Sequence, residues 1–405
     1  MKATVARSSP VVVEGRRTWT IPGKLATLFA VAFLFRAMFV LYVALHSDAL
    51  DRLHSFNEAV RIARALSTQH AFVTPFHGAS GPTAWIAPVY PLLLAGIFDI
   101  VGVETKASFV AAAILNSLFA ALTAVMIYKI GARQFEESAG MLAAWGWALC
   151  PYLLLLVGLM WEAVLSALIL SCAIYLTLKT VSSQKPRDAI LCGAAWGLQA
   201  LTSPAMLTVV PFWLVYLWWR TRRVLPAATV AVTLLVVVTP WCVRNQLALH
   251  DGFLLRSNGW AEVYFANISN ASHPTQPTSE YQALGEIEFS RLMRYRVVHY
   301  IEDHPAKFVL DSGRRFLRLW IVPARYWSYT VFMVLMTVAG LVVGVRRYGE
   351  RVVPLVGVLL LCPAIYYFCF TFARYRHPVE PMMFLFAGVA VTELRTHIAR
   401  PDRAA

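Results

Sequence analysis

Apolar residues gather into long runs near 25–46, 86–102, 107–131, 138–158, 161–180, 188–203, 205–219, 226–243, 327–345, 352–371 and 378–394. Most reach or approach the roughly 20 residues that carry a helix across about 30 Å of hydrocarbon. The pattern predicts an all-α polytopic membrane protein. Run 86–102 is the exception, because its 17 residues would make a helix only about 25 Å long. Pro88 and Pro91 also fall in its first turns. It is expected to be re-entrant or shallow, leaving about ten transmembrane helices.

Basic residues set the orientation. They cluster at the N-terminus (Lys2, Arg7, Arg16, Arg17, Lys24) and after later runs: Lys129 with Arg133, Lys179 with Lys185 and Arg187, Arg220 with Arg222 and Arg223, Arg346 with Arg347 and Arg351, and Arg395 with Arg400. Positive loops stay cytoplasmic. If run 86–102 does not cross, every cluster faces the cytoplasm and both termini lie inside. The expected segments are a disordered cytoplasmic N-terminus (1–24) and an N-terminal transmembrane module (25–243) with a first external loop (47–106). An external loop with interfacial helices (244–326), C-terminal transmembrane helices (327–394) and a cytoplasmic tail (395–405) complete the chain.

Composition agrees. Of 405 residues, 59% are hydrophobic and 14% charged, and the mean hydropathy is +0.59; a soluble chain carries about 25% charged residues. The 13 Trp, 16 Tyr and 23 Phe suit interfacial belts. The net charge of +14 sits at the ends of apolar runs, as orientation signals do, so it does not indicate nucleic-acid binding. The six cysteines (Cys150, Cys172, Cys192, Cys242, Cys362, Cys369) lie in or beside apolar segments without metal-ligand spacing, and neither a disulfide nor sulfur ligation is expected. Run 25–46 is too long for a signal-peptide core, so it is expected to stay as a span.

The same sidedness gathers several polar features on the external face: Glu58 in "SFNEAVRIARAL", Glu162 in "LMWEAV", the turn Thr202–Pro204, the loop 244–326 and "ARYRHP" at 373–378. Taken alone, Glu58 with Arg61 could be an exposed ion pair worth a few tenths of a kcal/mol, and Glu162 a helix N-terminal acid favoured by the dipole. The following stretch argues for more. "FVTPFHGASGPTAWIAPVYP" crowds prolines and glycines, which indicates a loop folded onto the membrane surface. Arg374 and Arg376, with Tyr375 and His377 beside them, stand where the orientation rule alone would not place arginines. They are the choice for binding a phosphate, for which the guanidinium fork is suited; snorkelling at the interface is the competing account. Arg244, Arg256 and His304 are further candidates. His54, His70 and His77 have irregular spacing for a metal site. In the loop 244–326, "SNGWAEVYFANISNASHP" reads as turns and extended chain, "TSEYQALGEIEFSRLMRYRVVHYIEDHP" as a helix capped near Thr278 or Ser279, and Pro305 as the start of an interfacial helix.

The acidic early loop, its "IA…L" helix, "GPTAW", "P.YP..LA..F", "TPWCVRNQLALHDGFLLRSNGW", "HPAKFVLDSGRRFLRLW" and "ARYRHPVEPMMFLFAG" together resemble polytopic glycosyltransferases of the GT-C fold. The chain is most similar to bacterial glycosyltransferase family 39, whose relatives include protein O-mannosyltransferases and the lipid A aminoarabinose transferase. The resemblance implies inverting transfer of a sugar from a polyprenyl-phosphate donor to a hydroxyl of a protein, lipid or glycan, on the external or periplasmic face of the inner membrane. It gives Glu58 the part of base or acceptor-orienting carboxylate. It makes Glu162 a second acidic site residue, able to orient the acceptor or join Glu58 on a divalent metal. Asn57, Arg61, Tyr90 and Arg256 are acceptor-side and loop candidates. Many relatives carry Asp-Glu where this chain reads Asn57-Glu58. The alternative reading is a transporter or lipid flippase for envelope glycolipids, which should show ionisable residues mid-span or paired broken helices. A scaffold without activity would not need Glu58.

Overall fold

The computed structural model describes residues 21–47, 57–76, 80–250, 255–269, 279–321 and 327–398. The early histidines 54 and 77 and all the N-terminal basic residues before Lys24 lie outside them. Among the described residues the chain is helical, apart from turns and one isolated antiparallel bridge between Val73 and Pro82. The main helices are α1 (Ile21–His46), α2 (Glu58–Gln69), α3 (Val89–Val101), α4 (Lys106–Gln134), α5 (Glu137–Leu149), α6 (Ala163–Ser183), α7 (Pro186–Thr202), α8 (Val210–Thr221), α9 (Val224–Leu249), α10 (Gly259–Asn267), α11 (Ser279–Asp303), α12 (Pro305–Trp320), α13 (Trp327–Tyr348), α14 (Val353–Leu361) and α15 (Glu380–Ile398).

By length and apolarity, five helices among the described residues can cross a membrane: α1, α4, α6, α9 and the stretch Trp327–Leu361. A sixth is the pair Glu137–Leu149 and Pro151–Val157, bent by 52°. This is fewer than the ten expected. Two of the expected spans, runs 205–219 and 352–371, are broken by the structure, whereas α7 and α15 are continuous helices that fall outside this length-and-apolarity set. Run 205–219 becomes a 3₁₀ turn (Pro204–Val209) followed by the 12-residue α8. Run 352–371 becomes the nine-residue α14 with further 3₁₀ turns. Run 86–102 becomes the 13-residue α3, an apolar helix below spanning length.

Helix α4 packs against α1, α5 and α6. Around it, α5 and α13 meet α15 on one flank, and α7 joins α6 to α9 on the other. Close approach depends on small residues. A Cβ at Gly131 of α4 would lie 2.5 Å from the Cα of Gly140 in α5, and one at Gly340 of α13 would lie 1.8 Å from the carbonyl oxygen of Phe386 in α15. Membrane helices use such residues to bring backbones together.

The break after α5 has a chemical cause. Pro151 lacks the N–H that would bond the Trp147 carbonyl. The buried guanidinium of Arg36 in α1 replaces it, with Nη2 donating to Trp147 O (2.7 Å) and Nη1 to Ala148 O (2.7 Å). A mid-span arginine is thereby committed to the end of a helix.

Gly340→Val should cost about 1–3 kcal/mol, the usual range for overpacking, and lower the unfolding temperature of the detergent-purified protein. An unchanged melting curve would contradict the α13–α15 contact.

Candidate active site

Six of the residues singled out in sequence meet at one cavity. Asn57 caps α2, its Oδ1 accepting from Ala59 N (2.8 Å), which presents Glu58 in the first turn. The Asn57 Nδ2 donates to Met160 O (2.5 Å), so the first loop is tied to the turn that carries Trp161 and Glu162. Both glutamates, with Asn57, Arg256, Arg374 and Tyr375, line a cavity of about 660 Å³. Tyr366, Phe372, Pro204 and Thr208 contribute apolar and aromatic wall.

Glu58 is held by Trp85, whose indole Nε1 donates to Oε1 (3.2 Å). Burial pushes the Glu58 carboxyl up from its ordinary value, while Arg256, the Trp85 hydrogen bond and Arg374 pull it back. Trp85 is itself fixed from several sides. Glu286 of α11 accepts from Ala84 N (2.7 Å), Thr83 Oγ1 and Tyr281 OH (3.0 Å). Arg244 of α9 donates to Thr83 O (2.6 Å) and Phe72 O (2.8 Å). Ser257 N donates to Ala84 O (2.9 Å). Phe76, Tyr281 and Phe289 pack their rings on the indole.

Arg256 donates from Nε to Trp85 O (3.3 Å), and its Nη1 stands 4.0 Å from Glu162 Oε1. Arg374 lies in an aromatic cage, its guanidinium 4.4 Å from the Trp161 ring centre, 4.7 Å from Phe372 and 5.1 Å from Tyr375. No carboxylate among the described residues forms an ion pair with it.

Other expected residues are placed elsewhere. Arg376 and His377 are buried and do not line the cavity. Arg376 pairs with Glu380 (2.9 Å) and donates to Trp320 O (3.0 Å), closing the end of α12. His377 shares a hydrogen bond with Glu380 (2.8 Å) and stacks on Trp147. The two follow Arg374 in sequence, but the turn of Ala373–Arg376 points them into the bundle. Arg61 donates to Pro75 O (3.1 Å), and Tyr90 is buried against Asn116.

The carboxylates considered for a divalent metal are engaged by Arg256 and Trp85. No group of three or more His, Cys, Asp or Glu among the described residues could hold an ion.

One charged cavity residue, Glu262, escaped the sequence reading. "SNGWAEVYF" forms the helix α10 rather than turns and extended chain. It buries Ala261 and Phe265, four apart, and brings Glu262 to the cavity wall. An acid alone among apolar and aromatic neighbours was the signal. Burial first, and then Glu58, push its carboxyl up to about 7.

Comparison with known proteins gives the fold. Residues 84–243 match the family model described as dolichyl-phosphate-mannose-protein mannosyltransferase. The archaeal oligosaccharyltransferase AglB from Archaeoglobus fulgidus, solved with an inhibitory peptide and a dolichol-phosphate, superposes with a TM-score of 0.57 at 12% identity, over 95% of this chain and 52% of that one. This is a GT-C fold. The same archaeal enzyme solved with Zn and sulfate gives 0.53 at 13% identity, covering 91% of this chain and 49% of that one. ArnT from Cupriavidus metallidurans, bound to undecaprenyl phosphate, gives 0.43 at 15% identity, covering 92% and 80%. No curated protein sequence matches. The chain spans about half the length of AglB.

Glu286→Ala leaves Ala84 N, Thr83 Oγ1 and Tyr281 OH without their shared acceptor, at about 1–3 kcal/mol for each buried group left unpaired. A clear drop in melting temperature is expected for the detergent-purified protein. A melting curve matching the wild type would show that the loop is held without it.

Proposed function

We propose that the protein transfers a sugar from a polyprenyl-phosphate donor to a hydroxyl acceptor at the external end of the bundle, with inversion at the anomeric carbon. The observation that carries this reading is the shared cavity, where Glu58 and Glu162 stand with Arg256 and Arg374. A carboxylate and two guanidinium groups on one site supply what the displacement needs. Support also comes from the GT-C fold, in which AglB was solved with a dolichol-phosphate.

In the proposed reaction the acceptor oxygen attacks the anomeric carbon as Glu58 takes its proton. General-base help of this kind is worth about 10²–10⁴ in rate. The bond from the anomeric carbon to the phosphate oxygen breaks, and the electron pair leaves with the polyprenyl phosphate. Arg374 and Arg256 stabilise that phosphate by charge-assisted hydrogen bonds. Phosphate is already a weak base, so the leaving group needs no strong acid. Glu162, beside Arg256, orients the acceptor. The transporter alternative draws no support from Arg36, the mid-span charge, because Arg36 caps α5 and lies away from the cavity.

Glu58→Gln should abolish transfer while insertion and folding stay normal; a purified variant with full activity would exclude Glu58 as base. The base works only when ionised, and its carboxyl is raised above the usual glutamate value of about 4.3. The rate should therefore fall, on acidification, at a higher pH than for an ordinary glutamate. Trp85→Phe removes a hydrogen bond that favours the charged form, so the acid limb of the pH–rate profile should move further up. An unshifted limb would refute the tether. For orientation, a cysteine at Ser80 should react with an impermeant thiol reagent from outside and one at Ser182 should not; the reverse labelling would invert the topology.

A further inference from the structure

Glu262 has no part in the proposed transfer, yet it is placed unlike a structural residue. Its Oε1 accepts from Asn258 Nδ2 (3.2 Å), whereas its Oε2 is buried and accepts no hydrogen bond. Buried carboxyl oxygens are normally satisfied, since leaving one without a donor is costly. The unsatisfied oxygen belongs to a residue on the cavity wall. Its charge interacts with Glu58 and also with Arg256 and Arg374.

That position has a meaning in an inverting displacement. The anomeric carbon must lie between the attacking oxygen, beside the base, and the leaving phosphate, beside the arginines. Glu262 lines the same cavity as the base and both arginines, so a sugar held between those two ends lies against the wall to which it belongs. Resting on the glycosyltransferase reading above, we propose that Glu262 is a sugar-selecting residue: its Oε2 accepts a hydrogen bond from a ring hydroxyl of the transferred sugar. The ligand class is a neutral hydroxylated sugar on a lipid phosphate. Such a hydroxyl supplies the donor that the carboxyl lacks, and a sugar without a hydroxyl at that place leaves the oxygen unpaired. A site built to bond a hydroxyl rejects a ligand lacking it far more strongly than an apolar pocket rejects one of the wrong shape.

The test compares lipid probes on purified wild type, Glu262→Gln and Glu262→Ala in nanodiscs, by native mass spectrometry. The probes are undecaprenyl phosphate alone and undecaprenyl phosphate linked to glucose, galactose or mannose. The wild type should prefer one sugar-linked lipid over the others. Glu262→Ala should bind the bare lipid phosphate within about twofold of the wild type and lose about tenfold or more for the preferred sugar-linked form, a single hydrogen bond to a buried charged group being worth that much. Glu262→Gln keeps an acceptor oxygen and should retain part of the preference. Equal loss for bare and sugar-linked lipid assigns Glu262 to the phosphate site or the fold and overturns the proposal. So does unchanged binding of the sugar-linked lipid by Glu262→Ala, or a wild type without preference among the sugars. A wild type that binds no lipid phosphate at all defeats the glycosyltransferase reading as well, which separates the two failures.

Discussion

The hydrogen bonds on residues 83–85 are the constraint on which the site depends. This short segment has no regular structure of its own, so its backbone groups must find partners elsewhere. They find them in Glu286 of α11, Arg244 of α9 and Ser257 before α10. Those partners come from three separate parts of the chain. The segment is thus fixed by α11, the stretch before α10 and the long apolar helix α9 together, and it delivers one indole to one carboxyl. Moving Trp85 would release Glu58 and also the carbonyl that Arg256 holds. The geometry of the proposed base and of one of the two arginines proposed to bind phosphate is therefore set by the same three residues.

Buried arginines elsewhere do a different job. Arg36 caps the carbonyls left open where Pro151 ends α5, and Arg376 closes the end of α12. Each places a cation at a helix C-terminus, where the dipole favours it. Each also meets the carbonyls as hydrogen-bond acceptors, which burial of a guanidinium requires. Arg374, two residues before Arg376, is surrounded by aromatic faces instead, which attract a cation without neutralising it. Among the described residues no carboxylate pairs with Arg374 at the cavity wall, which suits the phosphate-binding part proposed for it. The difference between the two arginines is one of direction along a single short turn.

This explains how far the sequence could be read. The helical membrane class and the helix start at Pro305 were legible, because apolar run length and helix-start residues are local signals; Glu58, Glu162, Arg256, Arg374 and Tyr375, singled out in sequence, line one cavity, while the helix expected over 279–303 is kinked at Gly285. The resemblance to GT-C enzymes added the order of those parts. Breaks inside the apolar runs were not legible, since hydropathy does not see 3₁₀ turns such as Pro204–Val209. Nor was the split between Arg374 and Arg376, which adjacent residues cannot show without the turn that parts them. Glu262 was missed because "SNGWAEVYF" carries Asn and Gly, which favour turns. Only burial of Ala261 and Phe265 against the rest of the protein makes it a helix.

Asn57 shows why a departure from the common Asp-Glu pair is consistent with the proposed chemistry. An ionised aspartate could cap α2 as Asn57 does, since capping needs only an acceptor. It could not donate to the Met160 carbonyl, which takes the Asn57 amide at 2.5 Å. That bond joins the loop of Glu58 to the turn of Glu162. Charge argues the same way. The cavity already holds Glu58, Glu162 and Glu262 against Arg256 and Arg374, and the donor would bring a phosphate. A fourth carboxylate beside Glu58 would push the proposed base further toward its protonated form, since like charges disfavour ionisation. A neutral amide keeps the cap, gains the donor and leaves Glu58 able to ionise.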